Sequence, residues 1–198
     1  MWHSDCTLLN GDETNWSLRA PRNIPCPHTC NVLAKGGYLM NELKSRSADS
    51  TAVLQYSTLR STCHPECVAC RDPKKGGLGL EFDLCADNTV TAQFFCAAKY
   101  QGYTDRMHGG IIATLLDAAM THCLFARNSR GVTAKLAVRY VRPVLIGSDV
   151  TISAAVVQER GLLVELSAEL HQNGELCALS KGTFFVEKPL GSRPPHGK

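Results

Sequence analysis

No long hydrophobic run occurs in this sequence. None approaches the ~20 consecutive apolar residues that cross a bilayer, so no membrane partner is expected. The amino terminus has no basic stretch leading into an apolar core, because Asp5, Asp12 and Glu13 interrupt it. Export through a signal peptide is therefore not expected. Charge of one sign is scarce too. A net charge of +3 is too small for a nucleic-acid footprint, although a few basic residues can still meet a phosphorylated small molecule. Internal repeats and low-complexity blocks are absent.

What is present is the composition of a globular protein with a core: 198 residues, 44% hydrophobic and 20% charged. That length holds one domain and a tail. Ten cysteines are many, but an oxidised scaffold is normally short and secreted. Cys85, Cys96, Cys123 and Cys177 sit inside apolar or alternating runs, where a reduced thiol behaves as a small hydrophobe. The expected compartment is cytoplasmic, with most thiols free.

Residues 1–60 show no sustained period. They carry prolines at 21, 25 and 27 and a polar stretch from Ser45 to Thr51. Val32–Leu43 is a candidate helix weakened by Gly36 and Gly37. This region reads as an extension, partly ordered at best. A domain is expected over residues 61–190 and a flexible tail over 191–198.

From Gly77 the pattern sharpens. Leu78, Leu80, Phe82 and Leu84 alternate with smaller or polar residues, which predicts a half-buried strand. A turn at Asp87-Asn88 then leads to a second strand, Val90–Ala98. After a loop, His108-Gly109-Gly110 precedes IIATLLDAAMTHCLFA, sixteen residues without proline or glycine. The run is apolar nearly all round, so it predicts a helix buried on most sides. Strands are expected at 134–140, 149–159, 162–172 and 175–186, the last two joined by an Asn173-Gly174 hairpin turn. Sixteen helical residues span about 24 Å and an eight-residue strand about 27 Å. One antiparallel sheet can therefore wrap a single central helix, an α+β arrangement.

YQGYTDRMHGGIIATLLDAAM, followed by TAKLAVRYVRPVLIGSDV, resembles the loop, central helix and next strand of hotdog-fold acyl-CoA thioesterases. The likeness is to the PaaI and 4-hydroxybenzoyl-CoA thioesterase group and covers roughly residues 61–187. It implies hydrolysis of an acyl-CoA thioester to free acid and CoA, without a cofactor. The chemistry requires a polarised carbonyl and an attacking oxygen. Glycines opening a helix offer unpaired backbone N–H groups and the positive end of the helix dipole, with no Cβ in the way. The resemblance assigns the Gly109 amide to the oxyanion hole and Asp117, nine positions after His108, as general base or nucleophile. It maps the helper hydroxyls onto Thr121 and Thr133. His108, Gly110 and Gln101 are expected beside the substrate, His108 chiefly as a loop-fixing residue. In the family these groups meet across a dimer interface, so a homodimer is expected, with a dimer of dimers allowed.

Well-characterised members carry Asn or Gln six residues before the motif histidine. Here that position is Gly102, next to Gln101. Either Gln101 takes the role or this chain manages without it. Two other readings remain: a non-catalytic acyl-CoA or lipid-binding module, and a hydratase, whose usual His–acid pair fits less well.

Cys63-His64-x-x-Cys67-x-x-Cys70 offers enough ligands for tetrahedral zinc, and Cys26, His28 and Cys30 could complete a site. The ligands crowd into eight residues and no second knuckle follows, so no metal is expected. Arg127, Arg130, Lys135, Arg139 and Arg142 should mostly form a solvated face, with one or two free to meet CoA phosphates.

Overall fold

The run after His108 lacks helix breakers, and it folds as one helix, Gly109–Ala126. Both of its ends are built locally. The extended His108 caps the start, its Nδ1 accepting from the Gly110 N–H at 2.9 Å. The far end closes in a Schellman motif. Asn128 adopts a φ of 52°, its N–H donating to the Phe125 carbonyl, while the Ser129 N–H donates to that of Leu124. The structure, a computed structural model, describes residues 50–85 and 89–187. Within these, a first helix α1 (Ser50–Cys63) precedes this central helix, α2.

Among the described residues six strands form one antiparallel sheet: β1 (Asp83–Leu84), β2 (Val90–Phe95), β3 (Gly131–Tyr140), β4 (Asp149–Arg160), β5 (Leu163–Gln172) and β6 (Glu175–Val186). Their order is β1-β2-β4-β5-β6-β3, so β3 lies at an edge. The predicted hairpin turn is present, with Asn173 and Gly174 at φ 52° and 79°, the primed geometry that matches strand twist. Alternation sets the core face. Ile152 and Ala154 of β4 and Leu166, Ala168 and Leu170 of β5 point inward against Leu115, Leu116, Ala119 and Met120 of α2. Gly182 of β6 lies close against the helix: a Cβ there would stand 2.9 Å from the Met120 sulfur. By length and composition alone α2 could cross a membrane, but here it is the core helix, buried along most of its residues.

Two expectations need correction. The alternating segment from Leu78 buries Leu80 and Phe82 as its period predicts, yet only Asp83–Leu84 joins the sheet. Gly79, at φ 73°, bends the chain, and the Leu78 and Leu80 N–H groups donate to Val68 and Ala69 carbonyls instead of to a strand. β2 also ends at Phe95, because Ala98–Tyr100 tightens into a 3-10 turn. The predicted turn at Asp87-Asn88 and the candidate helix at Val32–Leu43 lie outside the described residues.

The helix α1 shows no apolar period because only Tyr56 is buried. Its hydroxyls close on its own backbone: Ser57 donates to the Val53 carbonyl, and Thr58 to that of Leu54.

Candidate functional site

The start of α2 is held by the loop before it and the strand beside it. The His108 N–H donates to the Tyr100 carbonyl at 2.9 Å, and the Met107 N–H to that of Val144. The loop folds tightly, with Gly102 N–H donating to Arg106 and Asp105 at φ 60°. Gly102 has a steric reason: a Cβ there would lie 3.2 Å from the His108 ring. Because His108 Nδ1 accepts from Gly110, the proton of the neutral ring resides on Nε2. Gln101 is exposed at the mouth of this loop.

The first turn of α2 leaves one donor unused. The Gly110 N–H is taken by His108 Nδ1, and the Ile111 and Ile112 N–H groups donate to the His108 carbonyl. The Gly109 N–H has no acceptor among the described residues. Tyr140 Oη donates to the Gly109 carbonyl at 2.9 Å, fixing the plane of that glycine from the end of β3. Sequence reasoning did not find Tyr140, since nothing local links it to a glycine 31 residues earlier.

Asp117 lies two turns further along α2, half-buried. Its Oδ1 accepts from Thr133 Oγ1 at 2.8 Å, and it makes no other hydrogen bond and no ion pair among the described residues. Thr133 stands where β3 bulges: Thr133 pairs with Phe184 and Lys135 with Thr183, leaving Ala134 unpaired. The structure thus joins Thr133 to Asp117. Thr121 is buried on the helix and makes no hydrogen bond to that carboxylate.

Gly109 and Asp117 are eight residues apart, about 12 Å along the helix axis. They do not face one reacting atom within a single chain. Clefts of about 510 and 320 Å³ lie near the other end of α2, lined by residues such as Leu59, Arg130 and Glu159. None of the predicted site residues lines either.

A second polar cluster lies beyond Asp117. His64, Cys67 and Cys70 come together, with ligand atoms within 4.8 Å of one another. Cys63 points elsewhere, its sulfur accepting from Arg130. Cys26, His28 and Cys30 lie outside the described residues. The unforeseen member is His122 of α2, fully buried, with Nε2 3.0 Å from Cys70 Sγ and Nδ1 2.6 Å from Tyr56 Oη. Burial, then the charges of Arg60 and His64, pushes the His122 pKa down to about 3. Burial pushes the Cys70 thiol up to about 12. It also lowers the His64 pKa, an effect the Asp117 charge partly offsets. No disulfide joins the cysteines of the described residues, and Cys96, Cys123 and Cys177 are buried.

Of the basic residues, Arg127 pairs with Glu159, Arg130 with Glu187 and Arg142 with Glu175. Arg139 is exposed, with no ion pair among the described residues.

Residues 105–178 match the family model of the thioesterase superfamily. Acyl-coenzyme A thioesterase 13 of Homo sapiens is 32% identical over 81 residues, 39% of this chain and 58% of that protein. The curated relatives are matched over 47 to 78% of their own lengths. The solved Escherichia coli PaaI protein of the phenylacetic acid degradation operon superimposes with a TM-score of 0.60 at 17% identity, over 72% of this chain and 97% of that one. The Streptococcus mutans protein smu.793, solved bound to acetyl-CoA, gives 0.52 at 19% identity, over 55% and 88%. An antiparallel six-stranded sheet packed on one long helix is the hotdog fold of these neighbours.

Proposed function

We propose that this PaaI-like hotdog domain of the thioesterase superfamily hydrolyses an acyl-CoA thioester, with Asp117 and the Gly109 amide as its reacting groups. The observation that carries the reading is an unused backbone donor and a lightly held carboxylate on one mostly apolar helix. A backbone donor without an acceptor sits at the first turn. A carboxylate fixed by a single hydroxyl sits two turns on.

The thioester carbonyl oxygen takes the Gly109 N–H, where the helix dipole also favours negative charge. Asp117 either removes a proton from the attacking water or attacks the carbonyl itself and is then released by water. In both routes the C–S bond breaks, CoA leaves and takes a proton as its thiol, and the acyl carbon gains one oxygen from water. Thr133 orients the carboxylate, Tyr140 the glycine peptide, and His108 the loop. Thr121, Gly110 and Gln101 stand by resemblance as helper and substrate-side groups.

Because the two reacting groups are about 12 Å apart on one helix, the carbonyl meets Gly109 of one protomer and Asp117 of another. The outer edge of β3 pairs with no strand among the described residues and, with Val132 and Tyr140 exposed, suits pairing of two copies. A homodimer is the smallest unit with complete sites, and a dimer of dimers is compatible. The setting proposed is the cytoplasm.

Gly109→Pro tests the oxyanion role cleanly. Proline is welcome at the first helical position, and His108 already has the extended backbone (φ −65°, ψ 131°) that must precede a proline. The nearest side-chain atoms to a Cβ at Gly109 belong to Tyr140, at an ordinary 3.4 Å. Removing this N–H should lower kcat about 10²–10³-fold on short, long or aromatic acyl-CoA in a thiol-release assay. An unchanged rate removes Gly109 from the mechanism. Saturable binding with no thiol released by the wild-type protein would make the domain a non-catalytic acyl-CoA binder, a reading that Gly102 in place of Asn or Gln favours.

A further inference from the structure

We propose that His64, Cys67, Cys70 and His122 bind one zinc ion, a closed structural site that pins the segment after α1 to the central helix. This replaces the expectation of no metal. It stands independently of the hydrolase reading.

The backbone makes the cradle. The Cys67 N–H donates to the His64 carbonyl, and the Cys70 and Arg71 N–H groups to that of Cys67. Two successive turns therefore put three ligand side chains on one side. In tetrahedral zinc, bonds of about 2.3 Å to sulfur and 2.0–2.1 Å to nitrogen put ligand atoms roughly 3.3–3.8 Å apart. The three first ligands, within 4.8 Å of one another, need to close by about an ångström. His122 Nε2, at 3.0 Å from Cys70 Sγ, is the fourth ligand; it lies outside the 4.8 Å group of the other three and closes on them when the ion binds.

Three further features point to a ligand. His64 Nδ1 is buried and has no hydrogen-bond partner, a costly state that coordination relieves. His122 has its other ring nitrogen on Tyr56 Oη, the outer contact that orients a metal-bound imidazole. Phe82 stacks on His122 at 4.4 Å, and Phe125 meets the edges of both imidazoles at 5.1 and 5.3 Å, so the ligands are held in an apolar shell.

The charges also balance. Zinc binding releases two protons, one from each thiol, and two thiolates with two neutral imidazoles leave the centre at zero net charge. A neutral centre can be buried where isolated ions cannot. Mixed sulfur and nitrogen ligands in a tetrahedron select zinc, and four protein ligands leave no position open for catalysis.

The test uses the full chain, without a tag and purified without chelator. Elemental analysis should find about one zinc per chain. Cobalt exchanged into the site should give tetrahedral d–d bands and a thiolate-to-cobalt charge-transfer band. Cys67→Ser and His64→Ala should lower bound zinc at least about tenfold and abolish that band, while Cys85→Ser, outside the cluster, keeps both. Cys67 and His64 are half-buried, so these variants probe the site without emptying the core, and a cooperative melt verifies folding. A chain with no zinc and no cobalt–thiolate band on reconstitution overturns the proposal. So does metal content that survives Cys67→Ser, or a Cys67–Cys70 disulfide in the freshly purified protein.

Discussion

Asp117 and His122 stand five residues apart on one apolar helix, and their surroundings are opposite. Asp117 is half-buried, holds one hydroxyl from the bulged start of β3, and has acceptor capacity to spare. His122 is sealed, with both ring nitrogens engaged and aromatic rings packed around it. A polar group that a fold leaves partly unsatisfied beside open space is available for chemistry. One that a fold surrounds on every side is available only for holding the structure together. The two proposals thus divide the central helix into a working end at Gly109–Asp117 and a fastening end at His122.

That division is open to attack by substitution. The largest effect is expected from Asp117→Asn, which should reduce kcat about 10²–10⁴-fold on the best acyl-CoA substrate while the melting temperature stays within a few degrees. Full activity in this variant would dissolve the working end. His122→Leu should do the reverse. It strands Tyr56 Oη and Cys70 Sγ and should cost about 2–4 kcal/mol in denaturant unfolding, with kcat per folded molecule retained. A variant as stable as wild type would show that nothing is fastened there. Smaller effects sharpen the contrast. Thr133→Val removes the one hydroxyl on Asp117 and should slow turnover about fivefold, equivalent to roughly 1 kcal/mol, without a change in stability. Tyr56→Phe removes the hydroxyl on His122 Nδ1 and should cost about 1 kcal/mol of stability, visible as a lower unfolding midpoint with turnover unchanged. If these last two effects exchange places, the assignment of the two ends is inverted.

The residues of the proposed working end stand out locally in the sequence. His108-Gly109-Gly110 ahead of a breaker-free apolar run marks a helix start, and a lone Asp117 interrupts that run, because both signals are local; Asp117 lines neither of the two clefts near the other end of α2. The Asn173-Gly174 hairpin and the four long strands were readable for the same reason. β1 was readable only by its side chains. The period placed Leu80 and Phe82 inward, but which carbonyl a backbone N–H finds depends on the 68–69 segment folding back. α1 was not legible, since a helix burying one tyrosine carries no stripe.

The fastening end was half legible. Cys63, His64, Cys67 and Cys70 offer four ligands in the sequence, yet in the structure Cys63 turns to Arg130 and leaves three. The fourth, His122, is 52 residues beyond Cys70 and reads as one more residue of a buried helix.

The sequence by itself determined the elements: where the central helix starts and stops, which strands alternate, and that an acid interrupts an apolar face. Those features follow from spacing and cap chemistry over a few residues. Only the tertiary structure decided the meetings, Thr133 with Asp117, Tyr140 with Gly109, and His122 with Cys70 and Tyr56. Each joins residues 16 to 66 positions apart, and such pairs are fixed by how a sheet closes on a helix rather than by any local period.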